Sequence, residues 1–480
     1  MTEAQDPSVL SSDQAAMQGY LSLASAIRGG VDTMRAAGTR FLPQFARESD
    51  EAYESRVQNA RMTNIFEADI VADLAQRPFT RNVMIGKDMN PQLAEFAADD
   101  VDRRGNDLHV FGGRIFKAAI RDGITWVLVD YPGGPSKDRT VAEEKALGLR
   151  PFWAHYRAAD VIAVYSEFRK GQEVITEARL REERIERDGF AEKKIKQIRV
   201  LKHPMGGKPT WEMWEEDTKK NTVAPWARVT EPQEMDIDSI PLIPIILGDR
   251  EGASWRYTPP LRDAAHLQVE LYQQENGLKH VRLCTAYPML AANGIDEPAG
   301  KDKTLEVGPN RVLYGGMSEH GAGSWNYVEP SGASLQFLRE DISDTIKELR
   351  ELGRQPLASL TSKTGSLTVI TTAVAAKKGN TVIQAWVRML HTAIQRMFDL
   401  TAQWLDIADP QISFDIHTEF DLGFGDDASF NQVLELGGGD YPLISREAVL
   451  DEAKRRGILR PEYNEDADVM KLGEAEPPEA

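Results

Sequence analysis

From Pro260 to Cys284 the chain reads "PLRDAAHLQVELYQQENGLKHVRLC", and only Gly277 interrupts its helical character. At 1.5 Å per residue such a helix is roughly 37 Å long. Thr258 suits the N-cap, and Pro259 is preorganised for the first helical position. Leu261, Ala265, Leu271, Leu278 and Val281 are too spread for one narrow seam, and charged and amide residues occupy the other sides. A long helix with mixed faces packs against neighbours rather than into the core of a single chain. The fold must therefore supply partners on more than one side of it.

Two further long helices follow. In "SLQFLREDISDTIKELREL", Leu335, Leu338, Ile342, Ile346, Leu349 and Leu352 recur at steps of three and four, with Ser334 as a cap and Gly353 as a stop. A third helix is predicted over about Thr371–Ile407. Between the second and third lies "GRQPLASLTSKTGSLTVITTAVAAKK", small, hydroxyl-rich and nearly uncharged, with one isolated lysine, Lys363. Between the first and second, Ala286–Pro330 reads as short strands and turns.

The N-terminal half is mixed. Residues 1–30 read as a small, polar, partly disordered arm. Val31–Phe79 reads as helices, one of them capped by Ser49. Leu108–Ile120 is a helix with Leu108, Phe111, Ile115 and Ala119 on one stripe, ended by Asp122-Gly123; "ITWVLVD" is then a buried strand. From Pro151 to Asp217, β-branched and alternating runs separated by "RKGQ", "RDGF" and "GGKP" predict an antiparallel meander. Ile240–Leu247, "IPLIPIIL", reads as buried extended chain. Past the third helix, "ISFDIHTEFD" is strand-like and Ser445–Arg456 helical. The class is α+β, and 480 residues suggest several subdomains.

The chemistry is mostly exclusion. Cys284 is the only cysteine, so no intrachain disulfide framework exists, and it reads as a small buried apolar residue. No run approaches the ~20 apolar residues of a membrane span, and the N-terminus has no secretory pattern. A soluble chain in a reducing compartment is expected. "HPMGGKPT" has Pro209 where a phosphate loop needs Ser or Thr, and no zinc or nucleophile-elbow spacing occurs. Histidines are scattered; His266 and His280 share the first long helix but stand too far apart to ligate together. Asp130, at the end of its strand, is the one acid placed where catalytic groups often sit, and it has no second carboxylate at motif spacing. No enzyme activity, metal or cofactor is expected. With 75 acidic against 57 basic residues, net charge -18, the balance argues against a protein that grips nucleic acid with its whole surface; it does not argue against one past which nucleic acid slides.

The order of parts resembles the portal proteins of tailed bacteriophages, and more closely a portal-like family long catalogued as a domain of unknown function. The stretches that carry the resemblance are "RFLPQFARESDEAYESRV", "ITWVLVDYP", "RPFWAHY", "IPLIPI", "PPLRDAAHLQVELYQQENG", "YPMLAANG", "YVEPSGASLQFLREDI" and the "TTA" that opens the third helix. They span roughly Val31–Asp421. The resemblance implies a portal fold assembled as a ring of twelve copies. Its parts would be an N-terminal arm (1–30), a wing (31–257), a first stem helix (258–284) and a clip (285–333). A second stem helix (334–353), a tunnel loop (354–370), a long helix with wing return (371–429) and a crown-like region (430–480) would follow.

The same resemblance implies the partners: double-stranded DNA in non-specific sliding contact, the large terminase, a head-tail adaptor and the major capsid protein. It places the protein at a capsid vertex of the virion, after assembly in the host bacterial cytoplasm. Ser359, Thr361, Ser362, Lys363, Thr364 and Ser366 would line the channel from the tunnel loop. Glu270, Glu275, Asp341, Asp344, Glu348 and Glu351 would form an acidic stem wall; each is otherwise a solvated helix face. Glu297, Lys301, Asp302 and Lys303 would lie on the clip, where terminase and adaptor dock. The competing readings are another virion assembly protein, adaptor or scaffold, and a nucleic-acid-processing enzyme built on Asp130.

Overall fold

The computed structural model describes residues 6–46, 48–132, 148–216, 226–286, 289–293, 312–315, 324–328, 333–353, 369–418, 420, 434, 446–455, 458–459 and 463. Helices and sheets are mixed, the α+β class expected. The elements run α1 (Ser12–Ala36), α2 (Asp50–Gln58), α3 (Ala72–Gln76), β1 (Met84–Ile85), α4 (Pro91–Asp99), α5 (Leu108–Asp122), β2 (Ile124–Asp130), β3 (Phe152–Arg157), β4 (Val161–Arg169), β5 (Gln172–Asp188), β6 (Ala191–Lys202), β7 (Thr210–Glu216), β8 (Trp226–Glu234) and β9 (Leu242–Ile246). They continue with β10 (Asp249–Arg250), β11 (Tyr257–Thr258), α6 (Arg262–Ala286), β12 (Met289–Asn293), β13 (Val312–Gly315), β14 (Ser324–Val328), α7 (Ala333–Leu352), α8 (Val369–Trp404), β15 (Phe414–Asp415) and α9 (Arg446–Arg455). Two compact units form: Met1–Leu21, Val71–Pro260 and Lys363–Ala480 make one, Ser22–Ile70 and Leu261–Ser362 the other.

The first unit is built on two antiparallel sheets. In one, β2 is central between β3 and β9, with Val127 opposite His155 on one side and Ile243 on the other. The other is the expected meander, β4 to β8 in sequence order. β2 is buried along its length because α5 and α8 both pack on its sheet. On α5 all four stripe residues, Leu108, Phe111, Ile115 and Ala119, are buried. Asp107 caps its start through the Val110 N–H, and Gly123 ends it in the left-handed region at φ 80°. A side chain there would also collide with the Pro259 backbone, its Cβ 2.9 Å from Pro259 Cα, so this turn requires glycine on two counts.

An aromatic cluster holds α8 to this sheet. Trp153, 1% exposed, packs edge-on to Phe398 at 5.0 Å and Phe96 at 5.4 Å between ring centres, and Phe111 lies at 5.7 Å. Its indole N–H donates to Thr401 Oγ1 at 3.0 Å, and the Trp404 indole N–H donates to the Val129 carbonyl at 3.0 Å. Large apolar area is buried and both polar handles are met, the condition under which buried tryptophan stabilises most.

In the second unit, α6 and α7 pack on each other, and β12, β13 and β14 between them form a three-stranded sheet. There β12 is central, parallel to β13 and antiparallel to β14. Ser49 caps α2 through the Ala52 N–H, as its position predicts.

Three local expectations fail for identifiable reasons. Residues 12–30 are not a partly disordered polar arm: α1 begins at Ser12, and Leu21, Leu23, Ala24 and Ile27 are buried. Thr258 is not a helix cap. It pairs in β11 with Asp249, its hydroxyl donates to Glu251 at 3.1 Å, and α6 starts at Arg262. The tandem Pro259-Pro260 keeps the chain extended, since a residue before proline avoids helical geometry. Ser334 lies inside α7 rather than at its cap.

The sheet around β2 buries a neutral imidazole. Thr125 Oγ1 donates to the Tyr156 carbonyl at 3.0 Å, so His155 Nε2, 2.7 Å away, carries the proton it gives to that oxygen. Burial lowers the His155 pKa from 6.5 to about 4. The unfolded chain therefore binds a proton in this window that the folded chain refuses. The contribution is full above pH 6.5 and is lost as pH falls toward 4, amounting to about 3 kcal/mol at most. Urea midpoints measured from pH 7 to 4 should fall, and His155→Gln should flatten that part of the curve.

Candidate functional site

The site the sequence singles out is the helix pair α6 and α7 with the segments that join and follow it. One face of α6 is polar and buried. Residues 60–64 have no regular secondary structure, so their peptide groups need partners from elsewhere. Asn276 accepts from the Arg61 N–H at 2.9 Å and donates to the Arg61 carbonyl at 3.0 Å. Glu275 accepts from the Thr63 N–H at 2.9 Å and also from its hydroxyl. Gln268 donates to the Thr63 carbonyl at 3.0 Å and accepts from the Phe66 N–H at 2.9 Å. Three side chains thus act as a strand would, each reading the backbone of the segment. Gln273 adds a bond to the Phe41 carbonyl at 3.0 Å.

This corrects the expectation for Glu275. It is 4% exposed and its carboxylate is committed to Thr63, so it is an internal brace and not a channel wall. Glu270 is exposed. At about 100° per residue the two acids stand about 140° apart around the helix and could never share a face. Gln268 and Asn276, which carry as much of the contact, were missed. Their signal is spacing: polar residues at 268, 275 and 276 recur after two turns, on the same side as Leu271 and Tyr272.

α7 divides into three strips. Leu338, Ile342, Thr345, Ile346 and Leu349 turn inward to differing degrees, with Leu349 fully buried, while Leu352 at the end of the stripe is exposed. On the outer side, Asp341, Asp344, Glu348 and Glu351 fall with Glu340 within an arc of about 100°. Asp344, Glu348 and Glu351 are exposed and Asp341 is half-buried. Arg339, Lys347 and Arg350 lie on the remaining strip. Lys347 pairs with Asp344 at 2.7 Å and Arg350 with Asp69 at 3.1 Å. The helix ends at Gly353, whose Cβ would stand 2.5 Å from Ile70 Cδ1, so only glycine admits that approach.

Glu297, Lys301, Asp302 and Lys303 lie outside the described residues, as do Ser359, Thr361, Ser362, Lys363, Thr364 and Ser366. The burial of Cys284 also lies outside them. The remaining catalytic candidate, Asp130, accepts from Arg199 at 2.6 Å, and Arg199 also donates to Glu182 at 2.7 Å and lies over the Trp211 ring. Tyr156 donates to Glu182. Burial alone would lower the Arg199 pKa, yet the Asp130 and Glu182 charges hold it above its ordinary value. Burial, with the Glu182 charge, holds the Tyr156 hydroxyl well above its own. Asp130 thus has a second carboxylate nearby, but both are spent on one guanidinium, an arrangement for holding strands together. Among the described residues no group of three or more His, Cys, Asp or Glu is placed to hold a metal ion, and no helix is long and apolar enough to cross a membrane.

A family model described as "Domain of unknown function (DUF4055)" matches residues 260–405. That stretch contains α6, the small sheet, α7 and α8 entire. No curated protein sequence matches the chain. Among solved structures, the chain is similar to one described as "Virion of native gene transfer agent (GTA) particle". The TM-score is 0.40 at 10% identity, covering 79% of this chain and 87% of that one. A second, "Neck of empty GTA particle computed with C6 symmetry", gives 0.39 at 13% identity, covering 79% and 88%.

The two acids on α6 separate in one experiment. Glu275→Ala should cost about 1–3 kcal/mol, because it leaves the Thr63 N–H and hydroxyl without their acceptor. Hydrogen exchange should accelerate at the Thr63 amide. Glu270→Ala should change neither.

Proposed function

We propose that the chain is a portal-type protein, twelve copies forming a ring at a capsid vertex through which double-stranded DNA is packaged and ejected. The observation that carries this reading is the order α6, small sheet, α7, then the 36-residue α8. This is the order in which the portal reading expects stem helix, clip, stem helix and long wing helix. The family match covers this block and little else, which supports treating it as one inherited device. In the proposed ring, the small sheet docks the large terminase and later the head-tail adaptor, and the wing faces the major capsid protein. The acidic arc of α7 lines the passage, where like charge keeps phosphate from adhering.

The protein then acts as conduit and platform and catalyses nothing. The commitment of Asp130 to Arg199 supports this over a nuclease reading. Purified protein viewed by negative stain and weighed by native mass spectrometry should give closed rings of twelve. Monomers at every concentration and salt condition would overturn the proposal. Nuclease activity abolished by Asp130→Ala, with the fold intact by circular dichroism, would favour the enzyme.

Lys363 gives a sharper test. In the ring it supplies one positive charge per copy at the narrowest point, in a segment otherwise small and neutral. Lys363→Glu should leave ring mass unchanged and lower the amount of DNA packaged or retained, scored as nuclease-protected DNA per particle. Equal protection in variant and wild type removes Lys363 from the mechanism.

A further inference from the structure

The helix that follows residues 60–64 does not open as an α-helix. Phe66–Val71 is a π-helical turn, and α3 continues from it at Ala72. In a π turn each N–H reaches a carbonyl five residues back, so the turn encloses one residue more than an α turn; such turns are rare and concentrate at functional sites. Both sides of this surplus are held. Upstream, the Phe66 N–H donates to Gln268 Oε1 of α6 at 2.9 Å, and the Glu67 N–H donates to Asn64 Oδ1 at 3.1 Å. Asn64 is itself fixed, its side-chain amide donating to the Ile27 carbonyl at 2.8 Å. Downstream, α3 is anchored by Leu74 and Ala75, both buried.

Between these anchors stand the two residues that meet the end of α7. Ile70 is 0% exposed, and a Cβ on Gly353 would stand 2.5 Å from its Cδ1 and 2.7 Å from both of its γ carbons. Asp69 pairs with Arg350 at 3.1 Å, but the two side chains are 43% and 40% exposed. An ion pair so open to water contributes little. The end of α7 is therefore seated by the shape of Ile70 against Gly353 more than by charge.

The surplus residue of a π turn can pass into the next turn of the same helix while both ends stay in place. Only the residues between then rotate, by one residue's share of an α turn, about 100°. Here Asp69 would move to the place of Ile70, and Ala68 to the place of Asp69. Asp69 has no branch at Cβ, so it crowds Gly353 less. Its carboxylate would, however, face the C-terminal carbonyls of α7, where negative charge is disfavoured. That charge makes the observed arrangement the favoured one. We infer that the Phe66–Val71 turn is a two-position seat for the end of α7: passing its surplus residue into α3 takes Ile70 out of contact with Gly353 and brings Asp69 in, pivoting on the fixed Gln268 and Asn64 bonds. Whatever displaces Gly353 selects the second position. Both positions belong to a single chain, so the inference does not use the ring reading.

The test uses the full chain labelled at the isoleucine δ1 methyls, with the Ile70 signal assigned from Ile70→Val. Relaxation dispersion should show microsecond-to-millisecond exchange at Ile70, the range of helix register shifts. Asp69→Asn removes the charge that disfavours the second position and should raise its population about two- to fivefold. Gly353→Ala closes the first position. It should move the Ile70 signal to the shift that wild-type dispersion gives for the minor state, while the Phe66 amide keeps its wild-type hydrogen-exchange rate. Deleting Ala68 removes the surplus residue and should leave Ile70 at its major shift with flat dispersion; if that chain does not fold, the Asp69 and Gly353 variants decide alone. Flat dispersion in the wild type would overturn the inference, because Ile70 then has one position. So would a Gly353→Ala chain in which the Ile70 signal stays put, or in which Phe66 loses protection along with it, since the turn is then a fixed brace that breaks as a unit.

Discussion

Peptide groups that enter a protein's interior must be met, and a segment with no strand or helix of its own must borrow partners. Arg61 and Thr63, with the Phe66 N–H that opens the helical turns after them, borrow theirs from one side of α6. That debt decides which way α6 is turned. Once Gln268, Glu275 and Asn276 face the segment, Leu271, Tyr272 and Leu278 are carried inward with them, and Glu270 and His266 are carried out. The mixed faces of this helix have their cause here. A helix that was simply amphipathic would have left the peptide groups of Arg61, Thr63 and Phe66 without these partners, at about 1–3 kcal/mol for each buried group.

The first unit answers the same requirement differently. Its centre, Trp153, is met by rings on several sides, and its one polar atom is met by Thr401, whose hydroxyl in turn donates to the Met397 carbonyl. The C-terminal turns of α8 are therefore fixed by directional bonds as well as by apolar contact. The Arg199 cluster bonds β6 to β2 through Asp130 and continues to β5 through Glu182. Two carboxylates around one guanidinium tie three strands through a single cation.

Much of this was legible in the sequence because it depends on local pattern. The limits of α6, α7 and α8 fall within about three residues of those read from periodicity and from Gly353. The meander follows its turn residues closely, since Gly171 and Gly189 both adopt the positive φ that such turns require. What failed was non-local or quiet. α1 was hidden by glycine and alanine, although Met17, Leu21, Ala24, Ile27 and Met34 carry a helical period that small residues blur. The role of Glu275 depends on a segment more than two hundred residues earlier, and no local rule announces that. Its distance from Glu270 around the helix was available, and it alone excludes a shared face. The Thr258 cap failed because Pro260 keeps Pro259 out of the helical geometry that the first helical position would need.

The acids of α6 and α7 therefore divide into two kinds, and in the proposed ring that division bears on how the passage repels DNA. Glu275 is spent inside, and Asp344 is balanced in part by Lys347. The exposed acids of α7 remain, spaced three and four residues apart, which puts successive carboxylates about 5–6 Å apart along the helix. That is shorter than the screening length of about 8 Å at physiological salt. Acids so spaced act on a passing phosphate as one continuous field rather than as separate charges. A continuous field has no preferred stopping place along the helix. In the proposed passage, through which DNA would move in both directions, the even spacing of these charges matters more than their number.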